Sequence, residues 1–327
     1  MFDYLVNERI DTKPRSQGLT CVTDRLYILD EDNLRVLAPF IDIVKIQGSL
    51  ALLMQEEILH KRINLYHRLG IRVMLGSSIS ELAILKGSFE RLVHEASKVG
   101  FDIVEVGENS IDLSISDKEK IRDIVRSKEL EFIWKVGKRD PRRQLSIESM
   151  LAKIDEAVRL GSRKVILEAN QGYNVGIYDE KGLIKWSIVS ALTSKYDPLT
   201  FIFEAPLESQ QYTLIAEFGE RVNLAEVTFK DVISIETQRR GFIPRIAFTV
   251  PYLRKNPDGG PAVKFIYYII STKHPIDQSE IMSLTHLSRR TVQNAIEELK
   301  RQGLIVEQNS LDDARKRVYY PIKSEWL

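Results

Sequence analysis

Residues Ser88–Gly107, "SFERLVHEASKVG" followed by "FDIVEVG", contain in miniature the pattern that decides the fold. The first half spaces its apolar residues like one face of a helix, and the second is a short, β-branched run that ends on an acid and a glycine. The same pairing recurs outward in both directions. Apolar runs "LTCVTD", "IDIVKIQ" and "IRVMLG" precede it, and "EFIWKVG", "RKVILEA", "TFIFEAP" and "RVNLAEV" follow it, with helical segments such as "SIESMLAKIDEAVRLG" between them. Runs spaced by roughly 20 to 40 residues with helices between them predict a buried parallel sheet built from βα units. Eight such runs match a closed (β/α)8 TIM-type barrel better than an open doubly wound sheet, which is the alternative.

The chain of 327 residues is too long for one ordinary core and predicts a large domain plus a small one. Lys and Arg number 47 against 46 Asp and Glu, so any affinity for nucleic acid or an anionic membrane has to be local. No apolar run approaches the ~20 residues that span a bilayer, and "MFDYLVNERI" has acids where a signal peptide needs a basic end. A cytoplasmic protein with no membrane partner is expected. Cys21 is the only cysteine, which excludes an intrachain disulfide and thiolate zinc sites; it reads as a buried structural thiol. The five histidines form no HExxH or Cys/His cluster, and His60 and His67 read as helix-surface residues.

The rhythm changes after "FTVPYLRKNPDGGPAVK", where Pro257, Gly259, Gly260 and Pro261 mark a boundary. The expected division is a barrel over 1–250, a linker over 251–261 and a small α+β domain over 262–327. Three amphipathic helices, a strand, a turn and a strand predict a winged helix-turn-helix. Ser288 is a natural N-cap and Gly303 a stop, with Val292, Ile296 and Leu299 on the buried face. The polar face presents Arg289, Arg290, Gln293 and Asn294, residue types that read guanine and adenine edges from the first turns of a recognition helix. Arg315, Lys316 and Arg317 sit in the hairpin where a wing meets phosphates. Residues 261–322 resemble the winged helix-turn-helix family of transcription regulators, which implies DNA as partner. The plainer reading is a domain for dimerisation or protein contact with a solvated basic face. A homo-oligomer is expected, because a small domain of nearly balanced charge needs a second copy to hold DNA.

In a (β/α)8 barrel, chemistry stands at the C-terminal ends of strands. Asp24, Lys45, Glu105, Lys135, Lys138, Glu168, Glu204 and Asn223 occupy or follow those ends. Each alone reads as a charge emerging into solvent; several on one rim read as a site. Acids there can hold Mg²⁺, and lysines can bind anions or deliver a proton.

The segments "KPRSQGLT", "IDIVKI", "FEAPLESQQ", "VNLAEV" and "ISIETQRRG", spread over residues 13–241, resemble phosphosulfolactate synthase. That family implies a (β/α)8 barrel that adds sulfite to phosphoenolpyruvate with Mg²⁺, on an archaeal route toward coenzyme M. The resemblance places Lys45 and Lys138 as catalytic lysines and Glu105, Glu168 and Glu204 as metal ligands. The implied Mg²⁺ stabilises charge that builds on the acceptor carboxylate, while a lysine protonates the carbanion. There are departures. Where the family usually reads Glu-Val-Gly-Lys-Lys, this chain has Lys135-Val136-Gly137-Lys138-Arg139; Asn170 and Gln171 replace an arginine and an acid; and the turn from Gln47 to Leu50 is altered. Lys135 and Arg139 are therefore read as binding an anion.

From sequence alone the favoured function is a transcription regulator whose barrel senses a small phosphorylated or sulfonated metabolite. The alternative is an active Mg²⁺-dependent lyase of the phosphosulfolactate synthase type.

Overall fold

The computed structural model describes residues 12–26, 30–241, 257–309 and 316–321. Two units divide the chain, Met1–Ile243 and Pro244–Leu327; the boundary expected at 250 lies outside the described residues.

The quoted segment shows how the first unit is built. Phe89, Val93, Ala96 and Val99 are the buried face of a helix, Phe89–Val99, which Gly100 ends in the left-handed conformation at φ 101°. The chain then enters the strand Ile103–Gly107. Eight parallel strands repeat this plan: β1 Thr20–Asp24, β2 Ile43–Ile46, β3 Arg72–Leu75, β4 Ile103–Gly107, β5 Glu131–Val136, β6 Val165–Leu167, β7 Phe201–Glu204 and β8 Asn223–Val227. They close in sequence order, with β8 pairing back onto β1. The helices are α1 Glu31–Leu37, α2 Gly48–Leu53, α3 Glu56–Arg68, α4 Ser77–Leu85, α5 Phe89–Val99, α6 Ile115–Arg126, α7 Ile147–Arg159, α8 Trp186–Lys195, α9 Glu208–Phe218 and α10 Val232–Arg239.

Successive side chains of a strand point to opposite faces, so the barrel interior is filled in layers. One layer is apolar and fully enclosed, with Cys21, Ile43, Ile103, Ile133, Ile166 and Ile202 among its members. Burial pushes the Cys21 thiol far up, so it stays protonated and packs as a small apolar group. Two residues further along each strand lies the next inward layer: Thr23, Lys45, Glu105, Lys135, Glu168 and Glu204. All six are buried. The alternation that builds the core therefore also stacks a charged layer directly on it.

Two of the expected strand-end residues serve the frame instead. Asn223 begins β8, at the opposite end from the mouth, and its amide bonds the carbonyls of Leu199 and Phe201 and the amide of Leu19. Asp24 turns toward α3, where Arg62 and the Tyr66 hydroxyl hold it. Arg239, in the retained "TQRRG" segment, donates to the carbonyls of Gly18, Leu19 and Val222 and ties the start of β1 to β8.

The second unit contains α11 Pro261–Lys273, β9 Ile276–Asp277, α12 Gln278–Thr285, α13 Arg289–Arg301, β10 Ile305–Asn309 and β11 Arg317–Pro321. Its three strands form an antiparallel sheet in the order β10-β11-β9. A separate core joins Ile266, Ile270, Ile281, Ile296 and Leu299. Ser288 caps α13 by accepting from the Thr291 amide at 3.2 Å.

Candidate active site

The mouth of the barrel encloses a pocket of about 130 Å³, lined by Thr23, Arg25, Lys45, Ser77, Glu105, Lys135, Arg139 and Glu168 among others. Drug-sized ligands occupy roughly 300–1,000 Å³, so this space suits a small molecule. Its walls are almost wholly polar, which points to a highly charged one.

Lys135 stands at the centre. Its Nζ lies 2.6 Å from Glu204 Oε1, 2.9 Å from Glu168 Oε2 and 3.6 Å from Glu105 Oε1. Lys45 Nζ lies 3.2 Å from Glu204 and 3.4 Å from Glu105, and contacts Glu226. Arg139, about one-third exposed at the rim, reaches Glu168 at 3.3 Å.

Three of the four acids are also fixed from behind by a backbone amide, and Glu226 by Arg25. Ser77 N donates to Glu105 Oε2 at 2.7 Å, Asn170 N to Glu168 Oε1 at 2.7 Å, and Ala169 N to Glu204 Oε2 at 2.9 Å. Charged groups taken out of water are tolerated only when paired and hydrogen-bonded in this way.

The charge states follow. Burial would strip the protons from Lys45 and Lys135, but the surrounding carboxylates prevail and raise both above a free lysine. Burial likewise opposes ionisation of Glu105 and Glu226, yet the ammoniums hold both carboxyls down at about 2. For Glu204 the balance tips the other way. Burial, reinforced by Glu168 and Glu226, outweighs the two lysines and pushes its carboxyl up to about 7. It is the group of the cluster that titrates near neutrality.

Sequence reasoning and geometry part at several residues. Lys138 is not among the residues that line the pocket; its Nζ bonds Ile111 O at 2.8 Å and Asp112 Oδ1 at 2.6 Å. Strand alternation carried on from the inward Lys135 puts Lys138 on the outer side and Arg139 on the inner one, and the inward Gly137, at φ 141°, lies against Glu168. A Cβ at Gly137 would lie 2.5 Å from Glu168 Cβ. Gly137→Ala is expected to displace Glu168 from Lys135 and to cost about 1–3 kcal/mol of stability, read from the denaturant midpoint.

The implied Mg²⁺ does not fit these residues. Glu105, Glu168 and Glu204 do converge, but on an ammonium, and their remaining oxygens are taken by amides. Among the described residues no group of three or more Asp, Glu, His or Cys side chains is arranged to hold a metal ion. Two further residues line the pocket, and only the first breaks the strand pattern. Glu226 turns inward through a positive φ of 55°, beside a register shift between β1 and β8. Thr23 presents a buried hydroxyl with no hydrogen-bond partner to the pocket.

In the second unit Arg289, Arg290, Gln293 and Asn294 are all exposed on α13. Lys316 is exposed, Arg317 is paired with Glu307 across the hairpin, and Arg315 lies outside the described residues. Among the described residues no helix is long and apolar enough to cross a membrane.

A closed parallel barrel whose C-terminal mouth is a small, densely charged pocket defines a (β/α)8 protein built to handle a small polar molecule. The chain belongs to the (2R)-phospho-3-sulfolactate synthase (ComA) family, whose model matches residues 8–244. A phosphosulfolactate synthase of Methanocaldococcus jannaschii is 35% identical over 234 residues, covering 69% of this chain and 92% of the relative. Those of Methanothermobacter thermautotrophicus and Bacillus subtilis are 27% and 29% identical, covering 73% and 70% of this chain and 95% and 92% of the relatives.

Proposed function

We propose that the barrel catalyses a carbon–sulfur bond-forming addition of the phosphosulfolactate synthase type, sulfite or a related nucleophile adding to phosphoenolpyruvate. The observation that carries this reading is the pair of buried ammoniums, Lys45 and Lys135, set on a ring of acids at the mouth of a synthase-family barrel. The regulator favoured on sequence alone takes second place, because the relatives matched over the barrel are named as synthases.

The sulfur lone pair of sulfite forms the new bond at C3 of the acceptor. The C2=C3 electron pair moves onto C2 and its carboxylate, and a proton then adds at C2; no group leaves. Lys135 and the Arg139 guanidinium meet the charge that develops on the carboxylate, and the buried setting strengthens them. Lys45 delivers the proton. An ammonium is a weak acid, but the carbanionic centre is a far stronger base than an amine. Glu204, 3.2 Å from Lys45 Nζ and poised near neutrality, returns the proton to it. Sulfite-dependent loss of the enol's ultraviolet absorbance by the full chain tests the reaction; an absorbance that stays constant with folded protein sinks it.

Ligand binding carries a pH signature. Glu204 is neutral below about 7 and charged above it. Lowering the pH through that value removes one negative charge from beside the anion site, so binding tightens. Sulfoacetate, whose own charge is constant across neutrality, is expected to bind several-fold more tightly at about pH 6 than at about pH 8 by titration calorimetry. Equal affinity would remove Glu204 from this role.

A second reading concerns the other unit. Three helices with an antiparallel sheet, and a capped α13 whose exposed face carries two arginines, a glutamine and an asparagine, support a winged helix that binds DNA in the major groove. Arg290→Ala is expected to weaken a site-specific complex by about 1–3 kcal/mol and leave turnover unchanged, measured by footprinting beside the addition assay.

A further inference from the structure

We infer that the Lys135 ammonium is the site's resident cation, standing where a divalent ion would sit among Glu105, Glu168 and Glu204, so that the pocket works without a metal. The inference deepens the proposed reaction and rests on it only for the turnover measurement below.

The geometry is built for an ammonium. The Lys135 ammonium lies within hydrogen-bond distance of two acids, Glu204 Oε1 at 2.6 Å and Glu168 Oε2 at 2.9 Å, and forms a longer ion pair with Glu105 Oε1 at 3.6 Å. The second oxygen of each acid accepts from a backbone amide, of Ala169, Asn170 and Ser77 respectively. Those amides orient the carboxylates toward a single centre, which the ammonium occupies. Mg²⁺ needs oxygens at about 2.0–2.1 Å in near-octahedral array. Here it would have to displace the ammonium from all three acids or sit beside it as a like charge in a buried site. The lysine has little room to withdraw. Its side chain is 2% exposed, Trp134 and Val136 on either side of it in β5 are buried, and the apolar layer lies two residues below.

A covalently attached cation also changes what the site can do. It is present at every turnover, has a single charge, and can be neither chelated nor exchanged. The Lys45 ammonium beside it shares Glu105 and Glu204, so the two lysines together supply the positive charge that one divalent ion would bring.

Manganese(II), followed by paramagnetic resonance, tests this on the full chain. The wild-type protein is expected to show no Mn²⁺ site that depends on Glu168, so that wild type and Glu168→Gln titrate alike. Lys135→Ala is expected to gain affinity by roughly tenfold or more, the scale of removing a like charge from a partly shielded site. The gain should vanish in the double variant Lys135→Ala/Glu168→Gln. A wild-type site lost in Glu168→Gln would overturn the inference. Should Lys135→Ala fail to fold by circular dichroism, the comparison of wild type with Glu168→Gln still decides. Turnover gives an independent arm: product formation unchanged by chelator supports a resident cation, and formation that stops with chelator and returns with Mg²⁺ refutes it. If no product forms under either condition, the proposed reaction fails, and the Mn²⁺ titration still decides the cation.

Discussion

Replacing Lys45 by arginine is expected to lower turnover by about 10²–10⁴-fold while the protein stays folded and still binds an anion. Arginine preserves the positive charge that Glu105, Glu204 and Glu226 surround, so the ring of acids keeps a counterion. What it lacks is a proton to give, since its pKa lies above ~12. The split between binding and catalysis is the point of the variant. If Lys45 acts only as a charge, Lys45→Arg retains most of its turnover; if it delivers the proton, kcat collapses while the dissociation constant for sulfoacetate moves little. Lys45→Ala is expected to lose both, because it also leaves buried carboxylates with one ammonium fewer. A thermal melt of each variant separates the catalytic loss from unfolding.

Glu105→Ala is expected to destabilise the barrel by about 3–5 kcal/mol, the usual scale for removing one partner of a buried ion pair. Three losses coincide there. Lys45 loses an acid at 3.4 Å, Lys135 loses one at 3.6 Å, and the Ser77 amide loses its acceptor at 2.7 Å. All three groups are themselves buried, Lys45 at 3%, Lys135 at 2% and Ser77 at 1% exposure. Glu105→Gln keeps an acceptor for Ser77 and a shape close to the original, so it is expected to recover part of the loss. Urea denaturation of the three proteins gives the ordering directly. Equal midpoints for Glu105→Ala and the wild type would mean that Glu105 is solvated, contrary to the packing described above.

Much of the site was legible because the rule that makes the barrel also makes the pocket. Ile43, Ile103, Ile133, Ile166 and Ile202 lie in the apolar layer, and a period of two places Lys45, Glu105, Lys135, Glu168 and Glu204 on the same face one layer higher. Those five could be read from strand patterning alone. Other residues needed the pattern carried past the strand ends, or, at Glu226, a break in it. The same alternation, continued past the end of β5, turns the retained lysine Lys138 toward Asp112 and Arg139 toward the acids. Glu226 enters the pocket through a positive φ on a residue type that seldom adopts one. Asp24 ends its strand beside the inward Thr23, so alternation turns it outward, where the Arg62 and Tyr66 side chains, brought near only by folding, hold it. The lysine in place of an acid at position 135 was visible at once. That three carboxylates and their three amides converge on it was visible only in the structure.

The most direct test of the account is phosphorus NMR of the full chain with phosphoenolpyruvate and sulfite, run in chelator and again with Mg²⁺, beside protein-free controls. A phosphosulfolactate resonance that grows at the same rate in both samples is the predicted result. No product in either sample, from protein shown to be folded, would contradict the claim that this buried ring of lysines and glutamates is a working catalyst.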